Sequence, residues 1–229
     1  MKTYMREREG DPAHLVAAVS RCISHDLRTP LGTVLAVLAD WKAGIALGPE
    51  DVEDAVSSAN AMLQILNLLR DAGFDDNEES QNVMLTELAA DSCAASGGGK
   101  LVLQRAGGPQ AVYAVVQAKT VTRALTCVFR YLMSCGAACF ELEAGRQDDL
   151  AFICFSVPCS VISKGSALLT SASLAEVFFV EQRARAIGML YADLVLSRNR
   201  GQSEIQTDSG CVGIKLLFDT GKKNITSCF

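Results

Sequence analysis

Apolar residues return every third or fourth position between residues 12 and 43: Val16, Val19, Ile23, Leu27, Leu31, Val34 and Leu38. That spacing predicts one long amphipathic helix. Its end falls in ALGPED (46–51), where Gly48 and Pro49 are placed to close one helix and open the next. Glu50, Asp51, Glu53 and Asp54 then occupy the first turn, where the helix dipole favours acids. A second stripe follows, made of Val52, Val56, Ala59, Leu63, Leu66 and Leu69, and Gly73 ends it. Two such helices joined by a short loop make an antiparallel hairpin. A hairpin cannot bury two stripes on its own, so the pattern predicts pairing with a second copy as a homodimeric four-helix bundle.

Past the acidic stretch FDDNEESQN (74–82) the period changes. LVLQRA (101–106), AVYAVVQ (111–117), ACFELEA (138–144), LAFICFSV (150–157), SEIQT (203–207) and VGIKLLF (212–218) are short, β-branched or alternating, and bounded by turn residues. Helical stretches are expected at about 118–134 and 173–198. The order predicts an α/β sandwich, one mixed sheet covered by helices on one face. The chain as a whole is therefore expected to be α+β: a hairpin over 1–75, a linker over 76–82 and the sandwich over 83–229.

Charge separates the same two parts. Residues 1–99 hold 7 basic and 16 acidic side chains, whereas residues 100–229 hold 14 and 10. The net charge of −5 gives little support to nucleic-acid binding. The longest apolar stretch, LAFICFSVPCSVI (150–162), is broken by Ser and Pro and falls short of the roughly 18 residues a spanning helix needs. No membrane partner is expected, and an N-terminus without an apolar core points to a cytoplasmic protein. Nine cysteines, an odd number without a Cys-x-x-Cys, read as buried reduced thiols. The close pairs Cys135/Cys139 and Cys154/Cys159 are remote from both histidines, which disfavours zinc.

The first helix carries SHDLRTPLGTV, residues 24–34. His25 and Thr29 are four apart and share one face. His25 lies about 200° around from each of Ile23 and Leu27, so its imidazole should point away from the apolar stripe. An exposed neutral imidazole is a competent nucleophile for a phosphoryl group. Asp26 beside it can bond the other ring nitrogen and fix the tautomer. Pro30 removes the amide that would bond the Asp26 carbonyl, so a bend is expected at this turn. His14, with no acid after it, reads as a solvated or packing histidine.

Ser24 through Leu31 resembles the H-box of the dimerisation and phosphotransfer domain of the two-component histidine kinase superfamily, whose pattern is roughly S-H-[ED]-L-R-[TN]-P-L. The resemblance implies that His25 is the phosphorylated residue and Asp26 its acid/base partner. It implies that Thr29 positions water or the receiver's phosphoryl group. It also implies a GHKL-type ATP-binding domain over 83–229, and here the motifs are degenerate. The N-box, N-L-L-x-N-A in the family, corresponds to RYLMSC, with Arg130 and Ser134 in place of asparagines. The D-x-G-x-G corresponds to Val157-Pro158-Cys159-Ser160-Val161, and the later G-x-G to Ala186-Ile187-Gly188. SGGGK (96–100) lacks the spacing of a phosphate loop and reads as a turn before a strand. Arg183, Arg185, Arg198 and Arg200 read as the solvated face and end of a helix, with an anion patch as the alternative.

A phosphotransfer hairpin joined to an ATPase-like domain without its ATP residues is similar to the dimeric histidine phosphotransferases of bacterial phosphorelays. That similarity implies transfer between His25 and aspartates of response-regulator receiver domains, with no cofactor on this chain and Mg2+ on the partner receiver. Two alternatives stay open: a sensor kinase or phosphatase with an atypical ATP site, and a non-catalytic pseudokinase scaffold that binds a kinase or receiver.

Overall fold

A computed structural model describes residues 12–71, 78–103, 111–163, 165–208 and 210–220. The chain divides into two compact units, Met1–Asp71 with Gln182–Ile187, and Ala72–Glu181 with Gly188–Phe229.

In the first unit, α1 (Pro12–Lys42) and α2 (Pro49–Asp71) form the expected hairpin. Gly44 ends α1, four residues before the expected Gly48. At φ +75° it adopts the left-handed conformation of a helix C-terminus, and the Ile45 amide reaches back to the Asp40 carbonyl at 3.0 Å. Pro49 opens α2, and the Gly48 amide donates to Asp51 at 2.8 Å, half of a capping box. Gly73 lies outside the described residues. The hairpin does not bury α2's predicted stripe. Val52, Val56, Ala59, Leu63 and Leu66 are exposed, whereas Ala55, Ser58, Met62 and Ile65, one position away on the helix, are half-buried. On α1 the stripe divides: Val19, Ile23, Leu27 and Val34 are half-buried, and Leu31 and Leu38 are exposed along with Leu35. The side chains of His14, Val16 and Leu69 lie outside the described set.

The second unit runs β1 (Gln81–Met84), α3 (Leu85–Ala95), β2 (Lys100–Leu103), β3 (Tyr113–Val116), α4 (Ala118–Ser134), β4 (Cys139–Gln147), β5 (Leu150–Pro158), α5 (Leu174–Glu181), α6 (Ile187–Arg198), β6 (Gln202–Asp208) and β7 (Cys211–Asp219). β1 pairs with β3. The other strands make one mixed sheet in the order β2-β4-β5-β7-β6, in which only β2–β4 is parallel. Alternation sends Phe140 and Leu142, Ala151, Ile153, Phe155 and Val157, and Val212, Ile214, Leu216 and Phe218 to the buried face. Phe129 of α4 meets Phe140 and Phe155 there, at ring-centroid distances of 5.1 and 4.8 Å. The six predicted strands and the helix at 118–134 are all present; residues 104–106 of the first strand segment lie outside the described residues.

Three expectations are corrected. β1 and α3 were not expected; α3 is built from small residues and offers only Leu85 and Leu88 as large apolar markers. The helix expected over 173–198 is two, separated by Gln182 at φ +50° and a 3-10 turn at Ala184–Ala186. Half of the eight described cysteines are not buried, Cys139 being exposed, although all eight are free thiols.

The end of the expected linker is ordered into this unit. Gln81 and Asn82 open β1, and Glu78 caps α4: its carboxylate accepts from the Lys119 amide at 2.6 Å, the Thr120 amide at 3.0 Å and the Thr120 hydroxyl at 2.6 Å. Those amides would otherwise be unpaired at a helix start. Glu78→Ala should therefore lower stability by about 1–2 kcal/mol. Hydrogen exchange should show the lost protection concentrated at Lys119 and Thr120, and unchanged exchange there would contradict the capping role.

Candidate functional site

The surface of α1 brings two of the three candidate residues into contact. The His25 side chain is 64% exposed, as its position relative to Ile23 and Leu27 predicts, and its Nδ1 lies 2.8 Å from Oδ1 of Asp26. Asp26 is only 16% exposed. The Ala184 amide donates to its second oxygen, Oδ2, at 2.7 Å, and Arg183 Nη1 stands 3.5 Å from Oδ1. Gln182–Ile187 belongs to the same compact unit as the hairpin, and its 3-10 turn packs on α1. Thr29 is exposed one turn along from His25, and its carbonyl accepts from the Thr33 hydroxyl at 3.4 Å. α1 continues through Pro30.

These contacts favour the ionised form of Asp26. Burial pushes its carboxyl up, but the Ala184 amide, the bond from His25 and the Arg183 guanidinium outweigh that push and hold it below the ordinary value. At neutral pH it is a carboxylate, which only accepts hydrogen bonds. The nitrogen facing it must then be the donor, so a neutral His25 carries its proton on Nδ1. Nε2 is left with the free lone pair. The pair can therefore present a nucleophile on one ring nitrogen and stabilise positive charge on the other.

Arg183 and Ala184 are the residues that sequence reasoning missed in this role. Arg183, expected with Arg185, Arg198 and Arg200 on the solvated face and end of a helix, faces Asp26 instead, and Arg200 lies 3.9 Å from Asp219. Only the absence of a helical stripe across 182–186 hinted at a break there.

Residues at the degenerate motif positions bond and pack within the chain. On α4, the Ser134 hydroxyl donates to the Tyr131 carbonyl at 2.7 Å. Tyr131 is fully buried and donates its hydroxyl to Glu181 at 2.5 Å; burial first, and this bond second, push the phenol's pKa up. After β5 the chain folds back: the Ser163 amide and hydroxyl both donate to the Cys135 carbonyl, at 3.0 and 3.2 Å. Gly188 packs on α4 so closely that an added Cβ would stand 2.8 Å from that of Cys127. Its missing side chain serves helix packing. Among the described residues, no group of three His, Cys, Asp or Glu side chains is arranged to hold a metal. No helix among them is long and apolar enough to cross a membrane.

No protein-family model matches the chain, and no curated protein matches it. Solved structures do resemble it. The histidine kinase AdeS of Acinetobacter baumannii aligns with a TM-score of 0.55 over 86% of this chain and 98% of that one, at 10% identity. A bacterial phosphotransferase aligns at 0.48 with 15% identity, covering 90% of this chain and 97% of the other. The catalytic domain of the histidine kinase ThkA aligns at 0.44 with 8% identity, covering 62% and 96%.

A depressed carboxyl has a definite linkage sign. The stabilisation from the ionised Asp26 contacts should be fully present above the unfolded value of about 3.9 and be lost as pH falls through the lower folded value. Carbon-13 titration should place the Asp26 midpoint below that of an unfolded aspartate, and Asp26→Asn should remove this part of the acid sensitivity. A midpoint above the ordinary value would contradict the geometry.

Proposed function

We propose, for a chain with the fold of the two-component histidine kinases, that it is a phosphorelay histidine phosphotransferase working without ATP. The observation that carries this reading is the exposed His25 ring whose Nδ1 faces an ionised Asp26. In the forward step, the Nε2 lone pair attacks the phosphorus of a receiver's aspartyl phosphate. The new N–P bond forms as the P–O bond to the receiver carboxylate breaks, and that carboxylate leaves with the electron pair. The ring becomes cationic, keeps its Nδ1 proton, and is stabilised by the Asp26 carboxylate. The reverse step, with the carboxylate of a second receiver as nucleophile, returns the phosphoryl group and restores the neutral ring. The receiver would bring its own Mg2+, and Thr29, exposed one turn along from His25, would position water or the incoming phosphoryl group.

The degenerate motifs favour relay over kinase. An ATP site needs a metal ligand on α4 and open backbone for phosphates. Arg130 and Ser134 stand at the ligand positions, the Ser134 hydroxyl is spent on its own helix, and Gly188 is filled by Cys127. These residues do not fit Mg-ATP.

Homodimerisation is part of the proposal. Val52, Val56, Leu63 and Leu66 are each half or more exposed in a single chain, as is Leu38. A row of this kind is the surface that a second hairpin would cover. Light scattering should give about twice the 24.4 kDa chain mass at micromolar concentration; a monomer would contradict it. For the activity, label from a phosphorylated receiver should appear on wild type and be absent from His25→Gln, while labelled ATP gives none in either. Equal labelling of both proteins, or label from ATP on wild type, would overturn the relay.

A further inference from the structure

We propose that Arg183 and Ala184 form a clamp on Asp26 that selects Nε2 of His25 as the phosphoryl acceptor. The inference rests on His25 being that acceptor and adds the residues that set which of its nitrogens reacts. A carboxylate beside a histidine on one helix is free to rotate and to offer either oxygen. Here the rotation is fixed. The Ala184 amide takes Oδ2 at 2.7 Å, which leaves Oδ1 turned toward the ring, where His25 Nδ1 meets it at 2.8 Å. Arg183 approaches the same Oδ1 at 3.5 Å, so the oxygen that receives the ring proton also carries a neighbouring positive charge. That charge favours the carboxylate over the carboxylic acid and so preserves an acceptor opposite Nδ1.

Consecutive residues on a helix point about 100° apart and do not ordinarily face each other. The His25–Asp26 contact therefore gains from an outside group that holds the acid in place, and the Gln182–Ile187 segment supplies one. Its backbone is shaped for that contact. Gln182 takes a left-handed φ of +50°, Arg183 is extended at φ −120° and ψ 149°, and the Ala184–Ala186 turn then begins with the amide aimed at Asp26. Ala184 is buried and Arg183 is 57% exposed, so the amide gives geometry while the guanidinium gives charge. Both act through Asp26 and are positioning residues.

Two variants separate these contributions. Ala184→Pro deletes the amide donor; the extended conformation of Arg183 is the one preferred before proline, and proline suits the first position of a helical turn. Arg183→Gln removes the charge from an exposed side chain and keeps the test readable if the proline variant fails to fold. The readout is the pair of ring-nitrogen shifts of His25 in long-range proton–nitrogen spectra of the unphosphorylated full chain. With two histidines in the sequence, comparison with His25→Gln assigns the signals.

Wild type should show Nδ1 protonated and Nε2 bare at neutral pH. Ala184→Pro and Arg183→Gln should both shift the ring toward the other tautomer, with Arg183→Lys restoring it. Phosphoryl transfer from a phosphorylated receiver should slow roughly tenfold in the proline variant, the size expected when one charge-assisted hydrogen bond is lost. A wild-type proton on Nε2, or a tautomer unchanged in both variants, overturns the clamp. Because the tautomer is read before any transfer, a chain that shows the expected shifts and takes no phosphoryl group supports the clamp and counts against the relay instead.

Discussion

The site depends on a carboxylate kept ionised in a mostly enclosed position. Enclosing an acid normally favours its neutral form, and a neutral Asp26 could donate to the ring and reverse its tautomer. The Ala184 amide, the His25 ring and the Arg183 guanidinium together outweigh the desolvation. With the charge retained, the direction of each hydrogen bond at the site is determined. A neutral His25 then donates from Nδ1, and Nε2 carries the lone pair. One helix would thus provide the nucleophile and the anion that stabilises it, and a turn distant in sequence supplies the groups that keep the anion in place.

In the second unit, close packing requires two of the glycines. Gly188 lets α6 press against Cys127, and Gly136, at φ +107°, lies against the Val161 carbonyl so closely that a Cβ would clash at 2.4 Å. Tyr131, itself buried, donates its hydroxyl to the half-buried Glu181. Dense packing of this kind is costly to reopen.

Much of this was legible in the sequence because it rests on period and local chemistry. The hairpin followed from spacings of three and four, the strands from alternation, and the exposure of His25 from its angle to Ile23 and Leu27. The errors have physical causes. α3 buries Ala89, Ser92 and Cys93, side chains too small to mark a stripe. The break at Gln182 carries no glycine or proline, so its only mark is the missing helical stripe across 182–186. On α2 the visible stripe is the one left exposed, because the hairpin uses the smaller Ala55 and Ser58 with Met62 and Ile65. The contact that completes the site, Ala184 on Asp26, spans 158 positions and uses a backbone amide, which no side-chain pattern can reveal.

The most direct measurement of the central claim is which ring nitrogen carries the phosphoryl group. The wild-type protein, phosphorylated chemically with phosphoramidate and examined by phosphorus NMR and by digestion, should yield the isomer phosphorylated on Nε2 of His25, with Nδ1 still protonated. The isomer phosphorylated on Nδ1 would place the phosphoryl group where the Asp26 carboxylate is held, and would contradict the account.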